Sequence, residues 1–249
     1  MLRQLLSIIT VCCLLSCSNN NQDVNIQKGL RTDTSAKATA ILFSTPQIID
    51  SSHIIIYPLI LEKTSYGSGF SSSSGGERTS FWNLIFYNTD NNTQHLLTTD
   101  KRIVLYSINI DGNSSSSNSS SDMWSEGINI YENNIFYDVV SKDFNQNNYL
   151  DVDDPTYLYV SDKKGNNFRQ LSPDNYNITS WDVVKGTSKI ILQAQKDNNG
   201  DKKFDGNDEI IPLIVDVNSE KLATETFNQA YIDSLKKVLT NTWKNDNKK

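Results

Sequence analysis

Histidine is nearly absent. His53 and His95 are the only two in 249 residues, and 42 positions separate them. A metal site built from several histidines is therefore excluded, and a histidine-centred catalytic triad has few ways to form. Basic charge is also short: 23 Lys and Arg stand against 29 Asp and Glu, giving a net charge of −6 and a pI near 5. Without a basic field to displace counterions, nucleic acid is not a bulk electrostatic partner. The chain has no Gly-x-Ser-x-Gly, no His-Glu-x-x-His and no phosphate-cradling glycine loop, so no familiar catalytic motif is present. Charged residues make up 21% and hydrophobics 37%, which leaves a surface rich in Asn, Ser, Thr and Gln. The length suits one large domain or two small ones.

Cysteine is scarce as well, with three in all, and their placement is informative. Met1-Leu2-Arg3 is a short basic start, residues 5–15 are almost uniformly apolar, and Leu14-Leu15-Ser16-Cys17 follows. This is the layout of a secretory signal, too short for a spanning helix. The last four residues resemble the lipobox of bacterial lipoproteins: apolar at −3, small at −1 and Cys at +1. That resemblance implies a diacylglycerol on the Cys17 thiol, cleavage before it and acylation of the new amine. Cys12 and Cys13 would leave with residues 1–16 and the lipid would consume Cys17, so no disulfide could form within the remaining chain. Losing Arg3 leaves 22 basic against 29 acidic residues, or −7. Residues 18–37 read as a flexible tether. They lack the early acidic run that often marks surface-displayed lipoproteins of the Bacteroidota, which favours the periplasmic face of the outer membrane.

From about residue 38 to 226 the pattern becomes short runs of Ile, Val, Tyr and Phe, broken by Asn, Asp, Ser and Gly every 8 to 12 positions. That spacing predicts an all-β domain. Residues 133–143 lie over 187–197 at an offset of 54, and the match continues without a gap to Phe168 and Leu222. A more diverged copy lies upstream, with 53–63 and 81–90 as its strands and Asp90 lying over Asp162 and Asp216. Its connecting loop is longer, with a Ser/Gly-rich stretch at 67–76. Each unit reads as four antiparallel strands, in the last copy 178–184, 189–195, 209–217 and 221–226. Such serial units are how propeller blades look in sequence. The segment 162–173 resembles the strand-turn-strand element of TolB-like and WD40-like propeller repeats. The expectation is a propeller-like array of three to four blades. Either it is open and incomplete, or it is completed by an irregular fourth blade around 102–110. The serine run 113–121 reads as a flexible loop. In 227–249, apolar residues at three- and four-residue spacing predict an amphipathic helix from about 228 to 244, expected to cap an exposed face of the β domain.

Two corresponding loops carry the chemistry. Residues 197–208 place side-chain oxygens at positions 1, 3, 5, 9 and 12 (Asp197, Asn199, Asp201, Asp205 and Asp208), with Lys203 offering its carbonyl at position 7. Residues 143–154 repeat this with Asp143, Asn145, Asn147, Asp151 and Asp154, and Tyr149 at position 7. Ca²⁺ takes six to eight hard oxygen ligands, which an alternating Asx loop can supply. The spacing resembles the calcium loops of EF-hand and dockerin-like proteins, and those ligand roles carry over position by position. Lys202 and Asn148 stand at position 6 where that family prefers Gly, Asp replaces the closing Glu, and strands flank the loops. A structural ion replacing the missing disulfides is expected. The loop at 143–154, with one carboxylate fewer, is the weaker.

The whole reads as a Ca²⁺-stabilised β-repeat scaffold, held at a membrane through lipid on Cys17, that binds an envelope protein or a glycan. Tyr66, Trp82, Trp124 and Trp181 are candidate contact aromatics. The rival is a glycan-directed envelope hydrolase with an unrecognised carboxylate site.

Overall fold

The computed structural model describes residues 40–49, 53–65, 77–109, 128–131 and 133–243. Cys17 and its leader, Tyr66, the stretch 67–76, the serine run 113–121 and Trp124 lie outside them. Alternating apolar residues build β1 (Gln47–Ile49), β2 (Ile54–Ser65), β3 (Glu77–Asn88), β4 (Thr93–Leu96), β5 (Val104–Asn109), β6 (Ile128–Tyr131), β7 (Asn134–Val140) and β8 (Tyr157–Asp162). After these come β9 (Arg169–Gln170), β10 (Tyr176–Val183), β11 (Lys189–Lys196), β12 (Glu209–Asp216), β13 (Thr224–Glu225) and a helix, α1 (Gln229–Trp243). All pairings are antiparallel.

Three four-stranded units follow one another: β1–β4, β6–β9 and β10–β13. Their central ladders end alike, on Ile54↔Asn88, Asn134↔Asp162 and Lys189↔Asp216. Each ladder then turns on an Asx residue whose Oδ1 accepts the N–H two residues on. Asp90 donates to Asn88 at 2.9 Å, Lys164 to Asp162 at 2.8 Å and Asn218 to Asp216 at 3.0 Å. Such side-chain-to-backbone bonds are why Asn and Asp close these hairpins. Asn88, not Asp90, is therefore the partner of Asp162, two residues from where sequence comparison places it. The 102–110 strand does not start a fourth unit. As β5 it pairs with β3 on one side and β7 on the other, joining the first two units into one sheet while the third forms its own. Among the described residues the sheets stay open, with no closed barrel or ring.

The units stack face on face. Ile135, Tyr137, Val139, Tyr157 and Tyr159 of the middle unit pack with Ile54, Ile56, Leu84 and Phe86 of the first. The opposite face of the middle unit, Phe136, Leu158 and Val160, packs with Ile190, Leu192, Ala194, Leu213 and Val215 of the third. Both faces of the middle unit are thus spent, whereas β11 buries Ile190, Leu192 and Ala194 and exposes alternate residues, as expected of an end unit.

One carboxyl is caught in the second junction. Trp181 donates its Nε1–H to Asp138 Oδ1 at 3.0 Å, and burial outweighs that bond, pushing the carboxyl up to about 6. A raised folded-state pKa means the folded protein holds the proton more tightly than the unfolded chain, whose Asp titrates near 3.9. The ionised group therefore destabilises above pH 6, and the penalty fades as pH falls through 6 towards 4. Asp138→Asn keeps an acceptor for Trp181 and is expected to add about 1–3 kcal/mol at pH 7.5. Urea unfolding at pH 4.5 should show a much smaller gain.

α1 begins where Asn228 accepts the Tyr231 N–H on its side chain at 2.9 Å, an N-cap. Contrary to the expected docking, no residue of α1 is buried. Tyr231, Leu235, Val238, Leu239 and Trp243 all stand exposed. Among the described residues, no helix is long and apolar enough to cross a membrane.

Candidate functional site

The two Asx loops join the second strand of a unit to the third: 143–154 links β7 to β8, and 197–208 links β11 to β12. They share most of their bonds. Asn145 Oδ1 accepts the Asn147 N–H at 2.9 Å, as Asn199 Oδ1 accepts that of Asp201 at 2.9 Å. Asn147 Oδ1 takes the Tyr149 N–H at 2.7 Å, and Asp201 Oδ1 takes that of Lys203 at 2.9 Å. Asp151 Oδ1 accepts from Asp153 at 3.0 Å, and Asp205 Oδ1 from Asn207 at 2.8 Å. The closing carboxylate ties the two ends of each loop. Asp154 accepts the N–H groups of Phe144 at 2.8 Å and Asp151 at 3.2 Å; Asp208 accepts those of Asn198 at 3.3 Å and Asp205 at 2.9 Å.

The first carboxylate curls the chain around itself. Asp143 accepts N–H groups from Asn147 and Asn148, and Asp197 from Gly200 and Lys202. This curl needs left-handed backbone at positions 4 and 6, found at Gln146 (φ 63) and Asn148 (φ 71) in one loop and Gly200 (φ 75) and Lys202 (φ 63) in the other. Lys202 adopts that conformation despite its side chain, at a cost of about 1–2 kcal/mol. Part of the cost is offset by the bond from Lys202 Nζ to Gln146 Oε1 at 2.6 Å.

That bond crosses from one loop to the other, and it is not alone. The Phe144 and Phe204 rings meet at 5.1 Å between centroids. A relay of amides also runs from the segment just after the first loop to the second: Thr156 N–H to Asn177 Oδ1 at 2.9 Å, Asn177 Nδ2 to Gln195 Oε1 at 3.1 Å, and Gln195 Nε2 to the Asp205 carbonyl at 2.9 Å. Sequence reading paired the loops by repeat position and missed their contact. The available signal was one phenylalanine in each loop, Phe144 at position 2 and Phe204 at position 8.

The donor set is one of hard oxygens, four carboxylates and an amide in the 197–208 loop and three carboxylates and two amides in the 143–154 loop, which suits Ca²⁺ in kind. Among the described residues, no three Asp, Glu, His or Cys side chains converge on one point, because these carboxylates are turned onto backbone N–H groups. Asp151, Asp154 and Asp208 are buried. At Asp154 burial raises the carboxyl above its ordinary range, against the backbone N–H groups of Asp151, Phe144 and Asn145, and the Asp151 charge adds to the rise.

The remaining candidates fall elsewhere. Trp181 packs, partly buried, against the junction of the second and third units beside Phe136, at 5.2 Å between rings, and Trp82 is half-buried. His53 pairs with Asp90 at 2.6 Å on the surface. His95 stacks on Phe86 at 5.5 Å.

Fold and loops together define an antiparallel β-repeat protein with paired acidic loops on neighbouring units. No protein-family model and no curated protein matches the chain.

Proposed function

We propose that the chain is a lipid-anchored exported scaffold whose propeller-like units are pinned by Ca²⁺ in the loops at 143–154 and 197–208, and which binds an envelope protein or glycan. The observation that carries this reading is the matching of the two loops at positions 3, 5, 9 and 12 and in their left-handed residues at positions 4 and 6, at the same place in successive units. Two turns with no shared task need not agree at so many positions. The raised Asp154 carboxyl points the same way: a nearby cation would relieve the burial and the Asp151 repulsion that disfavour its ionised form. Asp197, Asn199, Asp201, Asp205 and Asp208 would hold one ion with the Lys203 carbonyl. Asp143, Asn145, Asn147, Asp151 and Asp154 would hold the second with the Tyr149 carbonyl. The ion supplies rigidity to a strand-to-strand loop, and no bond-making step is assigned to it. The lipid anchor rests on the Leu14–Cys17 pattern.

The carboxyl shifted to about 6, Asp138, is engaged by Trp181 between two sheets, a structural setting that gives the hydrolase reading no support. Thermal melts of the chain from Ser18 onward are the test. Free Ca²⁺ at a hundredfold over Kd should stabilise by about 2.7 kcal/mol per site, and chelator should reverse it. An unchanged melting temperature would remove the calcium reading. Separately, labelled fatty acid should enter the full chain in a bacterial host and be lost in Cys17→Ser; equal labelling would remove the anchor.

A further inference from the structure

The stacking follows one rule, and the rule leaves two faces over. Aligned on their ladder ends, Ile135, Tyr137 and Tyr159 of the middle unit correspond to Ile190, Leu192 and Leu213 of the third. In each case these residues face the preceding unit. Their counterparts in the first unit are Ile55, Tyr57 and Ile85, on the face turned away from Ile54, Ile56, Leu84 and Phe86. Ile48 extends that row, opposite Ile55 and 68% exposed. The converse holds at the other end. Phe136, Leu158 and Val160 of the middle unit face the following unit, and their counterparts in the third are Ile191, Pro212 and Ile214. Ile191 is 47% exposed, with Ile210 on the same face at 56%.

The first unit thus keeps an apolar face of the kind that receives a preceding unit, and the last keeps one of the kind that receives a following unit. Both retain apolar residues at the junction positions. α1 covers neither, since none of its residues is buried. We propose that the occupant of each face is a second copy of this chain, bound head to tail. The Ile191 face of one copy packs on the Ile48 and Tyr57 face of the other, and the reverse pairing closes the ring. Two chains of three units make six, within the four to eight blades of closed propellers, whereas three alone fall short. Head-to-tail contacts of this kind close into rings when the rotation fits. The inference rests on reading the units as members of one propeller-like array and is independent of the calcium reading.

Light scattering on the chain from Ser18 onward, which contains every described residue, tests it. The expected mass is that of two chains at micromolar concentration, in Ca²⁺ and in chelator alike. Ile48→Lys and Ile191→Lys, both at exposed positions and each retaining its own melting transition, should weaken association by about tenfold or more. Mixing the two variants should restore pairs, because one junction in the mixture is wild type. A single-chain mass for the wild type overturns the proposal, as does a ladder of larger masses or a mixture that stays monomeric. A single-chain mass with a cooperative melt would mean that other residues of the same chain cover the faces, and the array reading would survive. A chain with no cooperative melt would remove the array reading itself.

Discussion

Gly165→Ala is expected to cost about 2–5 kcal/mol. Gly165 lies in the turn after β8 at φ +80, and a Cβ there would come within 2.5, 2.6 and 2.7 Å of three ring carbons of Phe86. Phe86 is 1% exposed in the core between the first and second units, so its ring has nowhere to move. Left-handed strain contributes about 1–2 kcal/mol, and overpacking about 1–3 kcal/mol more. Gly186 and Gly200 separate the two effects: both have positive φ, and neither would meet an atom within 4 Å. Alanine at either should cost the strain alone. Urea unfolding of the three variants checks this, and equal losses at Gly165 and Gly186 would show that the turn does not press on the neighbouring unit.

Phe136→Ala should cost about 3–5 kcal/mol, the range for emptying an aromatic site in a core. Its ring is 1% exposed, tilts against Trp181 and sits among residues of both the second and third units. If the junction is as continuous as these contacts indicate, the variant will unfold in one transition at lower denaturant. Two transitions would mean that the units melt separately. Val152→Ala, on an exposed side chain of the 143–154 loop, is the matched control and should stay within about 0.5 kcal/mol.

Much of this was legible in the chain because the second and third units repeat nearly without insertion. β7 and β11 were readable as strands, but the offset of 54 sets them one residue out of register, since the ladder ends put Asn134 on Lys189 and Asp162 on Asp216; the fourth strand of the last unit was overdrawn, shrinking from 221–226 to Thr224–Glu225. The first unit was harder. Its β2–β3 ladder carries register shifts around Leu59 and Ile60, and its alignment slipped by two residues. β5 was misread because a strand's composition tells that it pairs but not with what. α1 shows the same limit: apolar spacing announces a face but not what covers it, and no residue of the helix is buried. Loop spacing named every Asx residue of the candidate site. It could not announce that Phe144 and Phe204 meet, since that contact depends on how two sheets stack.

Calorimetric titration of Ca²⁺ into chelator-treated protein, the chain from Ser18 onward, tests the central claim most directly. The account predicts saturable heat with two ions per chain, the tighter one lost in Asp205→Ala and the weaker one in Asp151→Ala. Because Lys202 bonds to Gln146 and the two phenylalanines touch, either variant should also weaken the remaining site. Absence of saturable heat, or heat unchanged by both substitutions, would contradict it and leave the loops as hydrogen-bonded turns.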